Sequence, residues 1–250
     1  MLLPEKEHRL RFLESNLEQL IFEARGSLST DGALTHLKNG LGARHYVLRH
    51  CREYLVRNCF AAKQSALSAD AATEAALHLN GYYLNLRGAL DNLAWILQLE
   101  FQLLPGTTEE YGARMSVHLF GDKFLKAIGG QSERHANHLL GMKSWGLDLA
   151  ALRDPAAHRI PLYVPPGAIT SQEQLDEFRR LDNLSSAPES ELGGKRRIDI
   201  MTEAQQVASF APVFCVTSAS GIKVYSIPKQ VLSDHCRYLH LARKVLEGFK

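Results

Sequence analysis

The residues best suited to chemistry lie in Arg153-Asp154-Pro155-Ala156-Ala157-His158-Arg159, where an arginine and a histidine stand five positions apart around a proline. Cleaving RNA without a metal needs a base to take the 2′-hydroxyl proton, an acid to protonate the leaving 5′-oxygen, and a cation to stabilise the charged phosphoryl oxygens. Histidine and arginine supply those roles. An imidazole titrates near pH 6.5, so His158 can accept or donate a proton at neutral pH, while Arg153 stays charged and can grip a phosphate through two N–H groups. Arg159, Lys143 and Arg134 lie near in sequence and would add to a phosphate-attracting patch. The same segment has a purely structural reading. Asp154 and His158, four apart, can form an ion pair, and Arg153 can cap the carbonyls of the preceding helix while the segment anchors a proline-rich crossing.

Other chemistries find no support. Gly193-Gly194-Lys195 lacks the upstream glycine and the hydroxyl of a phosphate loop, and G-x-S-x-G, H-E-x-x-H and G-x-G-x-x-G do not occur. A di-iron bundle needs two core-facing E-x-x-H repeats, and only Glu5 to His8 fits, at a chain end. Cys236 with His240, and His135 with His138, have ligand spacing but no third or fourth partner at recognisable distance in sequence, so no metal or cofactor is expected.

Composition sets the context. With 45% hydrophobic residues the chain can bury a substantial core, and 29 basic against 27 acidic side chains leave a net charge of only +2, so any anionic partner must meet a local patch. Four cysteines without C-x-x-C spacing, and an N-terminus without a basic-then-apolar run, point to reduced thiols in a cytoplasm. The longest apolar stretch, Leu84 to Leu104, contains Arg87, Asp91 and Glu100, which argues against a membrane span.

The elements that must position these residues are mostly helical. Three-and-four spacing of leucines predicts a helix over 5–25, and a second over 43–67 with Val47, Cys51, Tyr54, Leu55, Asn58, Cys59 and Ala62 inward and a basic outer face of Arg44, Arg49, Arg52, Arg57 and Lys63. Between them, Asp31-Gly32 and Asn39-Gly40-Leu41-Gly42 read as a loop. The third helix opens at Ser68 or Asp70 and closes at Leu104-Pro105-Gly106, with Arg87 and Asp91 paired four apart. A short helix is expected over 122–128, and one or two helices over 131–152 with a break near Gly146. A capped surface helix follows Ser171, with Gln174 completing a capping box, and 185–197 is a polar linker. A hairpin joins 213–217 to 222–227, with its first strand as an edge available for strand addition, and a last helix covers 228–249. The sum is an all-α, up-and-down bundle of four to five long helices with a small β-hairpin, one domain over 1–250 in which 161–228 is an insertion.

Placed at the end of a bundle helix, Arg153-x4-His158 with aspartate directly after the arginine resembles the signature of the HEPN superfamily of helical-bundle proteins. The resemblance spans about 43–104 and 131–160. It implies that Arg153 and His158 are the catalytic pair of a metal-independent endoribonuclease, that Asp154 is the polar residue beside the arginine, and that RNA is the substrate. It also implies a homodimer in which two motifs face one cleft, in a toxin, phage-defence or RNA-processing setting. An antitoxin or other protein partner is left open, as is a non-catalytic bundle binding a nucleotide, RNA or protein. One departure is Ile160, which stands where a toxin branch of the family carries tyrosine. The other is Pro155, which predicts a helix break inside the motif, with Asp154 starting a new turn. Residues five apart on a regular helix diverge by about 140°, so such a break, or a second chain, must bring the pair to one phosphate.

Overall fold

The computed structural model describes residues 4–106, 117–158, 160–218 and 221–249. Helix α1 covers Pro4–Ala24, α2 Asp31–Thr35, a π-helical segment His36–Gly42, α3 Ala43–Cys59, α4 Ala69–Phe101, α5 Asp122–Gln131 and α6 Glu133–His158. Then come α7 (Gln172–Ser186), a 3₁₀ turn (Glu189–Glu191), α8 (Arg197–Gln206), the strands β1 (Val213–Ser218) and β2 (Gly221–Ser226), and α9 (Ile227–Glu247). The architecture is an all-α bundle with one two-stranded antiparallel hairpin. No helix among the described residues is long and apolar enough to cross a membrane.

The central spine is α4. Ser68 caps it, its hydroxyl accepting the Ala71 N–H at 3.2 Å, and Leu79, Leu86, Leu90, Leu93 and Leu97 bury one stripe completely. Helices α3, α6 and α9 pack along it, and α1 closes against α9. Outside this core, α7 and α8 pair around a small cluster of their own, Leu181, Leu192, Ile200 and Ala204. The Ser171 hydroxyl accepts the Gln174 N–H as expected, while the Gln174 side chain bonds the N–H of Thr170 instead of that of Ser171.

Several expectations give way. Helix α3 stops at Cys59 because the chain then turns extended, with Lys63 and Phe210 exchanging a β-bridge and the Leu67 N–H bonding the Pro166 carbonyl. Its buried stripe is Leu48, Cys51, Arg52, Leu55 and Cys59, whereas Val47 is 41% exposed. The segment expected as a loop before it is helical, capped by Thr30, and its glycines serve close packing instead of turning. Helix α6 runs unbroken past Gly146, where any Cβ would collide with the Phe120 ring, so that glycine admits an aromatic side chain. It also runs through Pro155. That residue lies in the last turn, so its missing N–H forfeits one i→i−4 bond, to the Ala151 carbonyl, and only three helical residues follow it. The polar linker contains the start of α8, and Lys195 and Arg196 pair with Glu203 and Asp199. Finally, β1 is flanked by Tyr163, whose N–H and carbonyl bond Cys215, so among the described residues the hairpin edge without a strand neighbour is β2.

A buried polar seam fastens the bundle. Arg52, fully buried, donates to both oxygens of Glu14 on α1 at 2.8 and 3.1 Å, and His235 on α9 lies 2.8 Å from the same carboxylate. Burial pushes the Glu14 carboxyl up, but His235 and Arg52 outweigh it and hold it below its ordinary value. Asp234 accepts from Trp145, Tyr83 and Gln230, which ties α9 to α6 and α4. A charge expected on the solvated face of α3 is thus a core residue, because partners far off in sequence satisfy it.

Candidate functional site: an arginine-lined cleft

Arg153 opens onto a cleft of about 640 Å³ between α4, α6 and the π segment, with Arg44, Arg87, Asp91, His118 and Asp154 among its lining. Its guanidinium donates to Asp154 at 3.0 Å, both side chains remaining partly exposed. On the opposite wall Arg87 pairs with Asp91 at 3.2 Å. The pair expected along the helix is therefore turned into a cavity, Arg87 being only 14% exposed.

The third arginine arrives through close backbone packing. Arg44, at the start of α3, lies over Gly88 of α4, where any Cβ would overlap its guanidinium. Its Nε donates to Asn92 at 3.2 Å and a terminal N–H donates to Asn85 at 3.1 Å, so two of its five donors are fixed by partners among the described residues. Asn92 also bonds the His36 ring at 3.0 Å, and His36 stacks on Trp95 with ring centroids 5.7 Å apart. Gly40 permits this, since a side chain there would strike the Asn92 amide. Upstream, the Glu100 carboxylate accepts from the N–H and hydroxyl groups of both Ser29 and Thr30, pinning the entrance of α2 and the π segment to α4. Burial pushes that carboxyl up, and these bonds more than reverse the shift.

Electrostatics inside the cleft are coupled. Burial raises the Asp91 carboxyl above its usual range, while Arg87, His118, Arg153 and Arg44 pull it down, so all three arginines reach it electrostatically. Its side chain is 41% exposed, yet cleft walls remove much of the water around it. Burial, with Arg87, also lowers His118 from the ordinary histidine value, so this ring is neutral at pH 7. Its Nδ1 accepts the Phe120 N–H at 3.2 Å, which leaves the proton on Nε2. Three permanent positive charges stand against two carboxylates in the cleft lining, with an imidazole on its wall.

The residues singled out in the sequence divide. Arg153 and Asp154 line the cleft. His158 ends α6, its side chain outside the described residues, and its position lies about 140° around the helix axis from that of Arg153. Arg159 lies outside the described residues. Lys143 pairs with Asp122 at 2.5 Å, about 15 Å along the helix from Arg153, and Arg134, about 28 Å away, comes within 4.0 Å of Glu247. Neither basic residue joins Arg153. Arg44, Asn92, His36 and His118 carry no local motif, and the only signals for them were the Arg87–Asp91 spacing and the glycines at 40 and 88. Among the described residues no three metal-capable side chains gather, although the His138 and His240 rings approach to 5.0 Å.

Compared with models of known families, with curated proteins and with solved structures, the chain matches none.

Proposed function

We propose that the chain binds the phosphates of RNA in the cleft of Arg44, Arg87 and Arg153 and cleaves the strand without a metal, as a homodimer of the HEPN type. The observation that carries this reading is the convergence of Arg153, the motif arginine, with two further arginines and the imidazole of His118 on one anion-attracting cavity. Arg153 and Arg87 hold the phosphoryl oxygens and oppose the charge that grows on them as the 2′-oxygen attacks. The motif imidazole moves the protons. In this reading His158 of one copy serves Arg153 of a second, a pairing favoured by the divergence of about 140° between the two positions on one unbroken helix.

Cleavage of a single-stranded RNA in chelator, with Arg153→Ala, His158→Ala and a mixture of the two, tests this. Wild-type protein cuts, each variant is inactive, and mixing restores part of the activity because a mixed dimer holds one site with both residues intact. Wild-type protein that leaves RNA whole in chelator overturns the nuclease assignment. A second reading, binding without cutting, is favoured by the same unbroken helix, which separates the two motif positions within a chain. It predicts RNA binding that depends on Arg153 with no cleavage under any mixture.

A further inference from the structure

The arginine cleft does not stand alone. A second cavity of about 500 Å³ lies beside it, and His36, Arg44 and Asn92 line both. The partition is thus a row of side chains hydrogen-bonded edge to edge, with the Arg44 charge at the junction, clamped by Asn85 and Asn92 above Gly88.

The two cavities differ in chemistry. The first carries Arg87, Arg153, Asp91 and His118. In the second, among the described residues, Arg44 is the one permanently charged side chain; the rest of its wall is amide and hydroxyl from Asn39, Asn85 and Thr35, with the apolar surface of Ala43 and Val47. Inorganic phosphate is satisfied by the arginine side and leaves the neighbouring space unused. A strand alternates anionic phosphates with neutral, flat bases. Amides recognise base edges, apolar and aromatic groups accept base faces, and a base must be unpaired to enter a pocket.

We propose that the second cavity holds the nucleoside joined to the phosphate seated at Arg44, so the ligand is a nucleotide whose base is unpaired. This rests on the RNA-binding reading and adds the substrate's form to it.

Binding of inorganic phosphate, a nucleoside monophosphate, a tetranucleotide and a duplex of the tetranucleotide sequence, measured by calorimetry, tests the proposal in wild-type protein, Val47→Trp and Asn39→Ala. Both substituted positions are exposed, so the fold tolerates them, and tryptophan fills the cavity without adding charge. In wild-type protein the step from inorganic phosphate to nucleoside monophosphate strengthens binding on the order of tenfold, the worth of one held base, and the duplex binds more weakly than the tetranucleotide. Val47→Trp abolishes that gain and Asn39→Ala reduces it, each leaving inorganic phosphate affinity unchanged. If phosphate binding requires Arg87 and Arg153 but the nucleoside brings no gain, or Val47→Trp leaves the gain intact, the second-cavity assignment is wrong while the cleft stands. If Arg87→Ala and Arg153→Ala alter neither ligand, the underlying reading falls too.

Discussion

The Arg44 guanidinium lies against the backbone of Gly88, at a place where any larger residue would overlap it, and Asn85 and Asn92 hold it there. The arginine is thereby fixed as a preformed cation at the meeting point of two cavities. An absent side chain on α4 sets its position.

Gly88→Ala therefore separates ligand binding from folding. Alanine is favoured over glycine inside a helix by up to about 1 kcal/mol, and the group it displaces is the tip of a flexible side chain. The thermal midpoint stays within a few degrees of wild type while RNA affinity falls severalfold. Unchanged affinity would show that Arg44 does not touch the ligand.

Glu14→Ala is expected to be among the most damaging substitutions away from the cleft. It strands the buried Arg52 guanidinium and the His235 ring, and breaking one side of such a pair costs about 3–5 kcal/mol. Adding Arg52→Met removes the orphaned charge, so the double variant unfolds at a higher denaturant concentration than additivity of the two single changes gives. Additive losses would contradict the coupling.

Acid sensitivity follows from His45. Its ring is fully buried, bonded at Nδ1 to Tyr238, and among the described residues Nε2 has no hydrogen-bond partner, the Glu18 carboxylate lying 3.9 Å away. Burial, with His235, lowers its pKa to about 4. A histidine whose folded pKa is depressed binds fewer protons folded than unfolded. Its contribution is therefore complete above the unfolded value near 6.5 and is lost as pH falls toward 4, at about 1.4 kcal/mol per pH unit. His235 and His135 are lowered too and add slope of the same sign. Denaturant titrations from pH 7 to pH 4.5 give a shallower loss for His45→Gln than for wild type, by close to one proton. Parallel curves would remove His45 from the account.

Much of this architecture was legible locally and its exceptions were not. The spine α4 was readable because Leu79, Leu86, Leu90, Leu93 and Leu97 repeat at helical spacing behind the Ser68 cap, and both signals lie within one segment. Arg52 and Arg44 were unreadable on the same basis. Their acceptors, Glu14 and Asn92, lie 38 and 48 positions away, and no helical period reports that distance. Gly146 and Pro155 carried true local preferences that packing against Phe120, and a place in the final turn, rendered harmless. Arg153 and Asp154 were singled out from the motif and do meet the cleft. His118 and His36, which share it, had no neighbour in sequence to mark them.

The central claim is that Arg87 and Arg153 meet RNA phosphates, and the salt dependence of binding to a single-stranded oligoribonucleotide tests it most directly. Each phosphate contact on a single strand contributes about 0.7 to the slope of log affinity against log salt concentration. Arg87→Ala and Arg153→Ala should each flatten the wild-type slope by about that amount. Slopes identical to wild type in both variants would mean that the cleft is not where the nucleic acid lies.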